Sequence, residues 1–266
     1  MITTNIGLAK SVMGALAISL LAGPAMAQGH QHGPAPQGQF AWTGSFAVTS
    51  DYVFRGMSQT AERPAVQAML DLTYGIFYSG VFLSNLDFGE NGAGRDIAPA
   101  ELTFMSGIKP VVGPITFDFG VIYYTYPRAL DPGMEINFFE VKAGASMSPW
   151  KGGMVGVTGF YSPEYTFETG AVFTLEGSVA HELPKFGTIT PTFSALIGAQ
   201  WGDDATYTAA FGGADSYVYW NAGVTLAFHE RFSLDLRYWD SDLDFCTVGK
   251  VFACDERFVA TAKVTF

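Results

Sequence analysis

The sequence lacks the residues and motifs that most enzymes need. Only four of the 266 residues are histidine. His30 and His32 lie in a stretch rich in Gly, Pro and Gln that has no core-forming pattern. His181 and His229 are then the candidates for the base that a nucleophilic enzyme usually requires. No G-x-S-x-G elbow, zinc-spaced histidine pair or phosphate loop occurs. We therefore expect no enzymatic activity, no cofactor and no bound metal.

Charged residues are also scarce. They make up 15% of the chain, and acidic side chains outnumber basic ones, so that the formal net charge is −11. A negative balance argues against nucleic acid and against anionic lipid head groups as partners.

Long apolar runs are missing except for one near the start. Lys10 precedes the apolar residues 11–22, and the small residues of Ala25-Met-Ala27 follow. This run is shorter than the roughly twenty apolar residues that span a bilayer, and its order is that of a cleaved secretory signal peptide. We predict a signal peptide at 1–27, a flexible N-terminal segment at 28–39 and one domain at 40–266. Cleavage leaves 13 basic and 25 acidic side chains.

Alternating segments are what the rest of the chain does contain. From residue 40 onward, apolar and polar residues alternate with the period of a β-strand in about twelve segments. These are 42–55, 65–74, 77–87, 100–109, 115–126, 135–146, 154–161, 171–181, 189–200, 217–228, 232–240 and 258–266. No further run could form a membrane helix, so only a closed sheet could satisfy the backbone hydrogen bonds of this chain in a membrane.

The connections between these segments alternate in length. Short ones lie at 75–76, 110–114, 148–153, 183–187 and 229–231, and mostly longer ones lie at 57–63, 88–99, 127–134, 162–170, 201–216 and 241–257. Short periplasmic turns, longer external loops and an even strand number are typical of transmembrane barrels. The pattern predicts an all-β fold, an antiparallel up-and-down transmembrane β-barrel of about 12 strands with both termini in the periplasm. Aromatic residues near strand ends could form its interfacial girdles: Trp42, Tyr52, Tyr74, Tyr78, Tyr126, Trp150, Tyr161, Tyr217 and Tyr238.

The last strand resembles the closing strand of bacterial outer-membrane β-barrels. One face of it is apolar, the other is largely polar, and it ends in Phe. The resemblance implies a location in the outer membrane, contact with its lipid, and recognition by the barrel-assembly machinery through Phe258, Val264 and Phe266.

Two strings carry a narrower resemblance. Ser50-Asp-Tyr-Val-Phe-Arg-Gly-Met-Ser-Gln-Thr60 and Phe77-Tyr-Ser-Gly-Val-Phe-Leu-Ser-Asn85 resemble a family of proteobacterial proteins labelled TorF-type porins. The resemblance implies a Gram-negative outer-membrane barrel with a channel role in transport. It carries over no catalytic or ligand-binding residues.

Ionisable residues fall on the strand face opposite to the apolar one. The candidates for the lining of a pore are Asp51, Arg55, Asp71, Glu101, Asp118, Glu140, Lys142, Glu176, Asp235, Arg237 and Lys263. Such groups either line an aqueous path or neutralise one another in a filled interior. We expect a channel for small hydrophilic solutes or ions, with a side-chain-filled structural or recognition barrel as the alternative. Size alone does not decide between them. No segment is clearly a helix that would plug the lumen. The sequence does not decide whether the protein forms homo-oligomers.

Acidic residues cluster in the predicted external loops. They are Asp203, Asp204, Asp215, Asp240, Asp242 and Asp244. At the mouth of a channel they would enrich cations, which predicts a mild cation preference. The alternative is that they serve solubility alone.

Both cysteines lie in the last external loop. Exported chains meet oxidising conditions, so we predict a disulfide between Cys246 and Cys254 rather than two free thiols. The nearby D-x-D-x-D string at 240–244 lacks the residues that a calcium loop requires next.

A lipid hydrolase of the outer membrane is the remaining class to consider. His181 and His229 both lie near predicted periplasmic ends, where a substrate from the outer leaflet would not reach. We therefore expect no such activity.

Overall fold

The chain folds into a single closed β-barrel. A computed structural model describes residues 39–130, 135–229, 231–243 and 251–266. The strands are β1 (Phe40–Thr49), β2 (Val53–Phe54), β3 (Met57–Ser58), β4 (Ala65–Tyr74), β5 (Phe77–Asn85), β6 (Ala100–Ile108), β7 (Val111–Val112), β8 (Ile115–Thr125), β9 (Phe138–Met147), β10 (Gly153–Ser162), β11 (Val172–Glu182), β12 (Ile189–Gly202), β13 (Ser216–Phe228), β14 (Phe232–Ser241) and β15 (Arg257–Thr265). Within the described residues there are also a 3-10 turn at Thr166–Glu168 and one short helix, α1 (Ala205–Ala210).

Twelve long strands form the wall, each antiparallel to its neighbours. Successive long strands pair from β1 through β4 and β5 to β6, and β6 pairs with β8. The order continues to β15, which pairs with β1 and closes the ring. Closure leaves no open strand edge, so that the backbone hydrogen bonds of the wall are satisfied within it. The predicted transmembrane barrel of about twelve strands is confirmed.

The strand ends define two ends of the barrel. The short connections, together with Phe40 and Phe266, lie at one end, which we call the short-turn end. The longer connections lie at the other, the long-loop end. No helix among the described residues is both long and apolar enough to cross a membrane.

Period-two alternation sorts the side chains of the wall. On β4, Val66 and Leu70 are exposed on the outside, whereas Gln67 and Asp71 are buried on the inside. An apolar outer face and a polar inner face suit a wall that meets lipid outside.

Part of the interior is apolar. The largest cluster of buried apolar side chains, which includes Phe82, Met105, Ile122, Phe138 and Phe160, fills the long-loop half of the barrel. The protein thus has an apolar core inside its barrel as well as an apolar outer surface.

The first predicted strand ends earlier than expected. We predicted a strand at 42–55, but β1 ends at Thr49, and residues 50–63 turn into the lumen. Tyr52 and Phe54, which the alternation assigns to the outer face, are buried inside. The sequence does not predict this inward turn, because the segment that enters the lumen is a short hairpin and not a helix. We call residues 50–63 the plug segment.

The aromatic girdles are smaller than predicted. Trp42, Tyr74, Trp150 and Tyr161 are exposed on the barrel. The structure buries Tyr52, Tyr126 and Tyr217 inside. Tyr78 also lies on the inner face, because its hydroxyl donates to Asp118.

Candidate functional site

The plug segment is a small hairpin that crosses the lumen near the long-loop end. β2 pairs with β3 through a turn at Arg55 and Gly56, whose φ angles of 48° and 84° lie in the left-handed region. Gly56 suits this turn for a second reason, since a Cβ there would lie 3.0 Å from the Cβ of Tyr219. Glycine tolerates both the positive φ and the close approach.

Asp51 fastens the base of the plug segment. Its carboxylate accepts hydrogen bonds from the hydroxyls of Ser58 (2.6 Å) and Thr60 (2.9 Å). The guanidinium of Arg257, the first residue of β15, donates to it over 3.1 Å. These bonds tie the hairpin to itself and to the barrel wall.

Arg55 is the centre of the plug segment. Its guanidinium makes a bidentate ion pair with Glu140 on β9, over 2.8 and 2.9 Å, and donates to Gln200 on β12 over 3.2 Å. The hydroxyl of Tyr217 donates to the Arg55 carbonyl (3.1 Å). The side chains of Arg55 and Glu140 are only 2% and 1% exposed. Arg55 thereby links strands on different sides of the lumen.

Aromatic rings enclose this ion pair. The guanidinium carbon of Arg55 lies 4.8 Å from the ring centre of Phe54 and 5.1 Å from that of Phe160. Tyr124 donates to Glu140 over 3.1 Å. A desolvated guanidinium gains from aromatic faces, and planar bidentate geometry is the strongest form of its pairing with a carboxylate.

Two further carboxylates pair with tyrosines near the long-loop end. The Tyr52 hydroxyl lies 3.3 Å from both oxygens of Glu101, and Thr103 donates to Glu101 over 2.9 Å. Tyr219 donates to Glu176 over 2.6 Å. Both carboxylates are buried, so these bonds replace water at each of them.

Arg237 organises the middle of the lumen. It donates to Asp235 on its own strand over 3.0 and 2.9 Å, to Asn221 over 2.8 Å and to the Ser194 hydroxyl over 2.9 Å. Thr225 donates to the same carboxylate over 2.7 Å. The network connects β12, β13 and β14 across their inner faces.

A further group of charged side chains, centred on Asp118, lies toward the short-turn end. Asp118 on β8 lies 2.9 Å from the ammonium of Lys142 and 3.9 Å from that of Lys109, and it accepts from the Tyr78 hydroxyl over 2.8 Å. Both ammonium groups lie about 5 Å from the centre of the Tyr78 ring, at 4.8 and 5.3 Å. Lys263 is half-buried on β15.

The pore-lining candidates therefore point inward, and only some of them pair with the opposite charge nearest to them in sequence. The same-face pair Asp235 and Arg237 is a real contact. Asp51 pairs with Arg257 rather than with Arg55, the nearest opposite charge in its own segment. Glu140 pairs with Arg55 rather than with Lys142, which lies on the same strand face. Sequence reasoning missed Gln200, Tyr207 and Arg257; Gln200 lies on the inward face of its strand, but no sequence signal marks it as a partner of Arg55.

The acidic residues at the long-loop end differ in exposure. Asp203, Asp215 and Asp242 are exposed, and Asp240 is half-buried beside Tyr238. Asp204 caps α1: it accepts from the backbone amide of Thr206 (2.7 Å), and this bond lowers the pKa of its carboxyl. Asp244 lies outside the described residues.

The helix α1 was not expected in the loop at 201–216. It places Tyr207 in the interior, where its hydroxyl accepts from the Gln200 amide over 3.2 Å. Burial raises the pKa of Tyr207 to about 12, so this hydroxyl stays protonated at neutral pH.

Several predictions fall outside the described residues. The segments 1–27 and 28–38, with His30 and His32, are among them, and so is Cys246. The disulfide to Cys254 stays a prediction; Cys254 itself is buried at the long-loop end. No group of three or more His, Cys, Asp or Glu residues in the described parts of the chain could hold a metal ion.

The residues of the predicted assembly signal surround the closing seam. Phe266 and Gly44 exchange backbone hydrogen bonds of 2.9 Å in both directions. A Cβ on Gly44 would lie 2.5 Å from the Phe266 ring, so the ring rests on the bare glycine. Phe258 is exposed and Val264 is half-buried on the same strand.

The fold is similar to that of solved porins, which are closed antiparallel β-barrels. The barrel is similar to the NanC porin, with a TM-score of 0.52 and 9% identity over 85% of this chain and 99% of that chain. It is also similar to the KdgM porin in complex with disordered oligogalacturonate, with a TM-score of 0.51 and 6% identity over 85% and 99% of the two chains. At such identities the likeness concerns the fold alone. No curated protein sequence matches the chain.

The sequence places the chain in a particular family. Residues 34–266 match the profile of the family described as "Bacterial protein of unknown function (Gcw_chp)". The chain belongs to this family. The narrower TorF-type name stays a resemblance of the two strings quoted above.

Proposed function

We propose that the protein is a porin-like channel of the bacterial outer membrane, exported by means of the signal peptide at 1–27. Small hydrophilic solutes or ions would cross it by passive diffusion. The observation that carries this proposal is the inner face of the barrel, where charged side chains recur from Arg55 near the long-loop end to Lys263 near the short-turn end. Ionisable groups in a membrane protein are costly unless they serve a polar path or a packed network.

The plug segment would control this path. Arg55 and its partners occupy the lumen between β9 and β12. Ion pairs and hydrogen bonds, together with the apolar packing of Tyr52 and Phe54, hold the segment in the lumen. We propose that the form described here conducts little, and that outward movement of the plug segment opens the barrel.

The acidic long-loop end would favour cations. Asp203, Asp215 and Asp242 are exposed there, and a negative mouth raises the local concentration of cations. The KdgM porin is described in complex with an oligogalacturonate, which is an acidic sugar. The acidic mouth of this chain argues against the same class of solute.

A second candidate is a filled barrel that serves a structural or recognition role. It is favoured by the burial of Arg55, Glu140 and Gln200 at one level and by the apolar cluster around them.

In either case we propose that the protein is not an enzyme. His181 accepts from Trp150 near the short-turn end, and His229 lies in a turn there. Membrane lipid and the barrel-assembly machinery would be its partners, and it could form homo-oligomers.

Single-channel conductance in planar bilayers tests the proposal. The refolded wild type would be compared with the double variant Arg55→Ala/Glu140→Gln, which removes the central ion pair without leaving a buried charge. We expect rare or small openings in the wild type and at least a twofold larger conductance in the variant. The reversal potential in a salt gradient would be measured with Asp203→Asn/Asp215→Asn/Asp242→Asn, and with Glu182→Gln at the opposite end as the control.

The outcomes separate the two candidates. A cation preference that falls in the triple variant and persists in Glu182→Gln supports a cation-preferring mouth, whereas anion selectivity contradicts it. If the folded Arg55→Ala/Glu140→Gln variant also shows no conductance, the result favours the filled barrel.

A further inference from the structure

The plug segment forms the floor of a cavity at the long-loop end. The cavity has a volume of about 110 Å³. Phe54 and Met57 of the plug segment contribute to it, and Phe138, Phe211 and Phe252 come from three other parts of the chain. Residues distant in sequence thus converge on one small space that no function assigned above uses.

The lining presents mainly carbon atoms. The polar side chains in it are Gln59, Thr166, Thr169, Tyr126 and Tyr165. The Gln59 amide donates to the Met57 carbonyl (3.1 Å), Thr166 to the Ile136 carbonyl (3.0 Å) and Thr169 to the Thr166 carbonyl (2.9 Å). A molecule in the cavity therefore meets mainly aromatic faces and alkyl groups. Such a lining suits an apolar ligand.

Two of the aromatic residues hold unusual backbone conformations. Phe167 has a φ of 58° and Phe252 a φ of 55°, and both line the cavity. The left-handed region is unfavourable for a bulky residue, because its Cβ approaches the following carbonyl oxygen. Residues keep such conformations where the surrounding structure imposes them, which is common at ligand sites. The surrounding structure therefore determines the backbone conformation of both lining residues.

We propose that this cavity is a binding site for a small uncharged molecule with one apolar ring. A dry apolar cavity of roughly 150 Å³ in another protein binds benzene, so a cavity of this order suits one ring and excludes an oligosaccharide. The exposed carboxylates of Asp203 and Asp215 flank α1 beside the cavity and disfavour an anion. Arg55 lies below Phe54, but Glu140 neutralises it. The proposal requires the plug segment in the position described here, since Phe54 and Met57 line the cavity, and it does not require that the lumen conducts.

Phenol is a suitable probe, because it is soluble and carries one ring. Its binding to the refolded full chain in lipid nanodiscs would be titrated by saturation-transfer NMR, with protein-free nanodiscs as the blank and benzoate as the anionic comparison. Ala210→Trp places an indole in the cavity. Ala209→Trp, on the neighbouring exposed residue of α1, is the matched control because Ala209 does not line the cavity.

We expect saturable phenol binding whose Kd rises at least tenfold in Ala210→Trp and changes less than twofold in Ala209→Trp. Benzoate should bind at least fivefold more weakly than phenol. Phe211→Ala should enlarge the cavity and favour 2-naphthol over phenol, a result that does not depend on how Ala210→Trp folds. Binding no stronger than to the blank, or equal binding to the wild type and a folded Ala210→Trp, would overturn the proposal. Conductance is not measured here, so a silent channel leaves this inference intact.

Discussion

At the scale of single residues, the lumen is governed by Arg55. Its guanidinium would cost several kcal/mol to bury alone. Glu140 supplies the opposite charge, Gln200 a further acceptor and two aromatic rings the flanking surfaces. Because the pair is fully desolvated, removal of one partner should be worse than removal of both.

The first prediction concerns this pair. Arg55→Ala should lower the free energy of unfolding by about 3–5 kcal/mol, since it leaves the Glu140 carboxylate buried without its cation. Arg55→Ala/Glu140→Gln should be more stable than Arg55→Ala. Urea unfolding of the barrel in detergent, followed by tryptophan fluorescence, measures the free energy of unfolding of the wild type and of both variants.

Arg63 is a matched control for Arg55. It pairs with Asp87 over 2.6 Å, but its side chain is 72% exposed. Arg63→Ala should change the stability by less than about 1 kcal/mol, because water screens exposed pairs. Equal effects of Arg55→Ala and Arg63→Ala would contradict the central role of Arg55.

At the scale of elements, the plug segment shows how a strand pattern can continue past the end of its strand. Residues 50–55 keep the alternation of β1, yet they leave the wall after Thr49. Hydrogen bonds favour the inward turn: Asp51 accepts from Ser58 and Thr60 within the segment, and Tyr52 pairs with Glu101 on the distant strand β6. Asp51 also holds Arg257, so that it couples the segment to the closing strand.

The second prediction follows for Asp51. Asp51→Ala should loosen the plug segment and expose the peptide bond after Arg55 to trypsin, whereas in the wild type this bond should resist while trypsin cuts after exposed basic residues such as Arg95. Limited proteolysis of the folded barrel with mass spectrometry of the fragments measures this. Asp87→Ala, which removes the exposed pair with Arg63 and a bond from the Gly89 amide but no contact of Asp51, should not open the site at Arg55. Resistance of Arg55 in the Asp51→Ala variant would show that Asp51 does not hold the segment.

At the scale of the whole molecule, one closed sheet separates two different surroundings, one outside and one inside the barrel. Its outer face is apolar for lipid, and its interior combines an apolar cluster near the long-loop end with charged networks below it. The sheet closes into a barrel where β1 pairs with β15. Phe266 lies at that seam, with its ring against Gly44.

The third prediction separates assembly from stability at this seam. The Phe266 side chain is 62% exposed, so Phe266→Ala should change the unfolding of refolded protein little. If the terminal Phe is read during insertion, the same variant should accumulate far less heat-modifiable barrel in the outer membrane of cells. Phe186→Ala, which removes an 80% exposed ring at the same end, should leave both measurements unchanged. Loss of stability in vitro would assign Phe266 to packing instead.

The amino-acid sequence by itself determined the wall of the barrel. Strand positions, the sides of the wall that residues such as Leu70 and Asp71 face, and the two kinds of connection all follow from local alternation and turn residues, because each strand must sort its side chains between two environments. For the same reason the inward orientation of Glu140, Lys142 and Arg237 could be predicted.

Only the tertiary structure decided what the interior contains. Arg55 and Glu140 are far apart in the chain, and nothing local distinguishes their pairing from that of Glu140 with Lys142. The inward turn after Thr49 likewise depends on a partner from a distant strand, Gln200 on β12. Tyr207 enters the lumen beside the same Gln200. Alternation reports which side of a strand a residue faces, whereas the contents of the lumen depend on which strands the closed ring brings opposite one another.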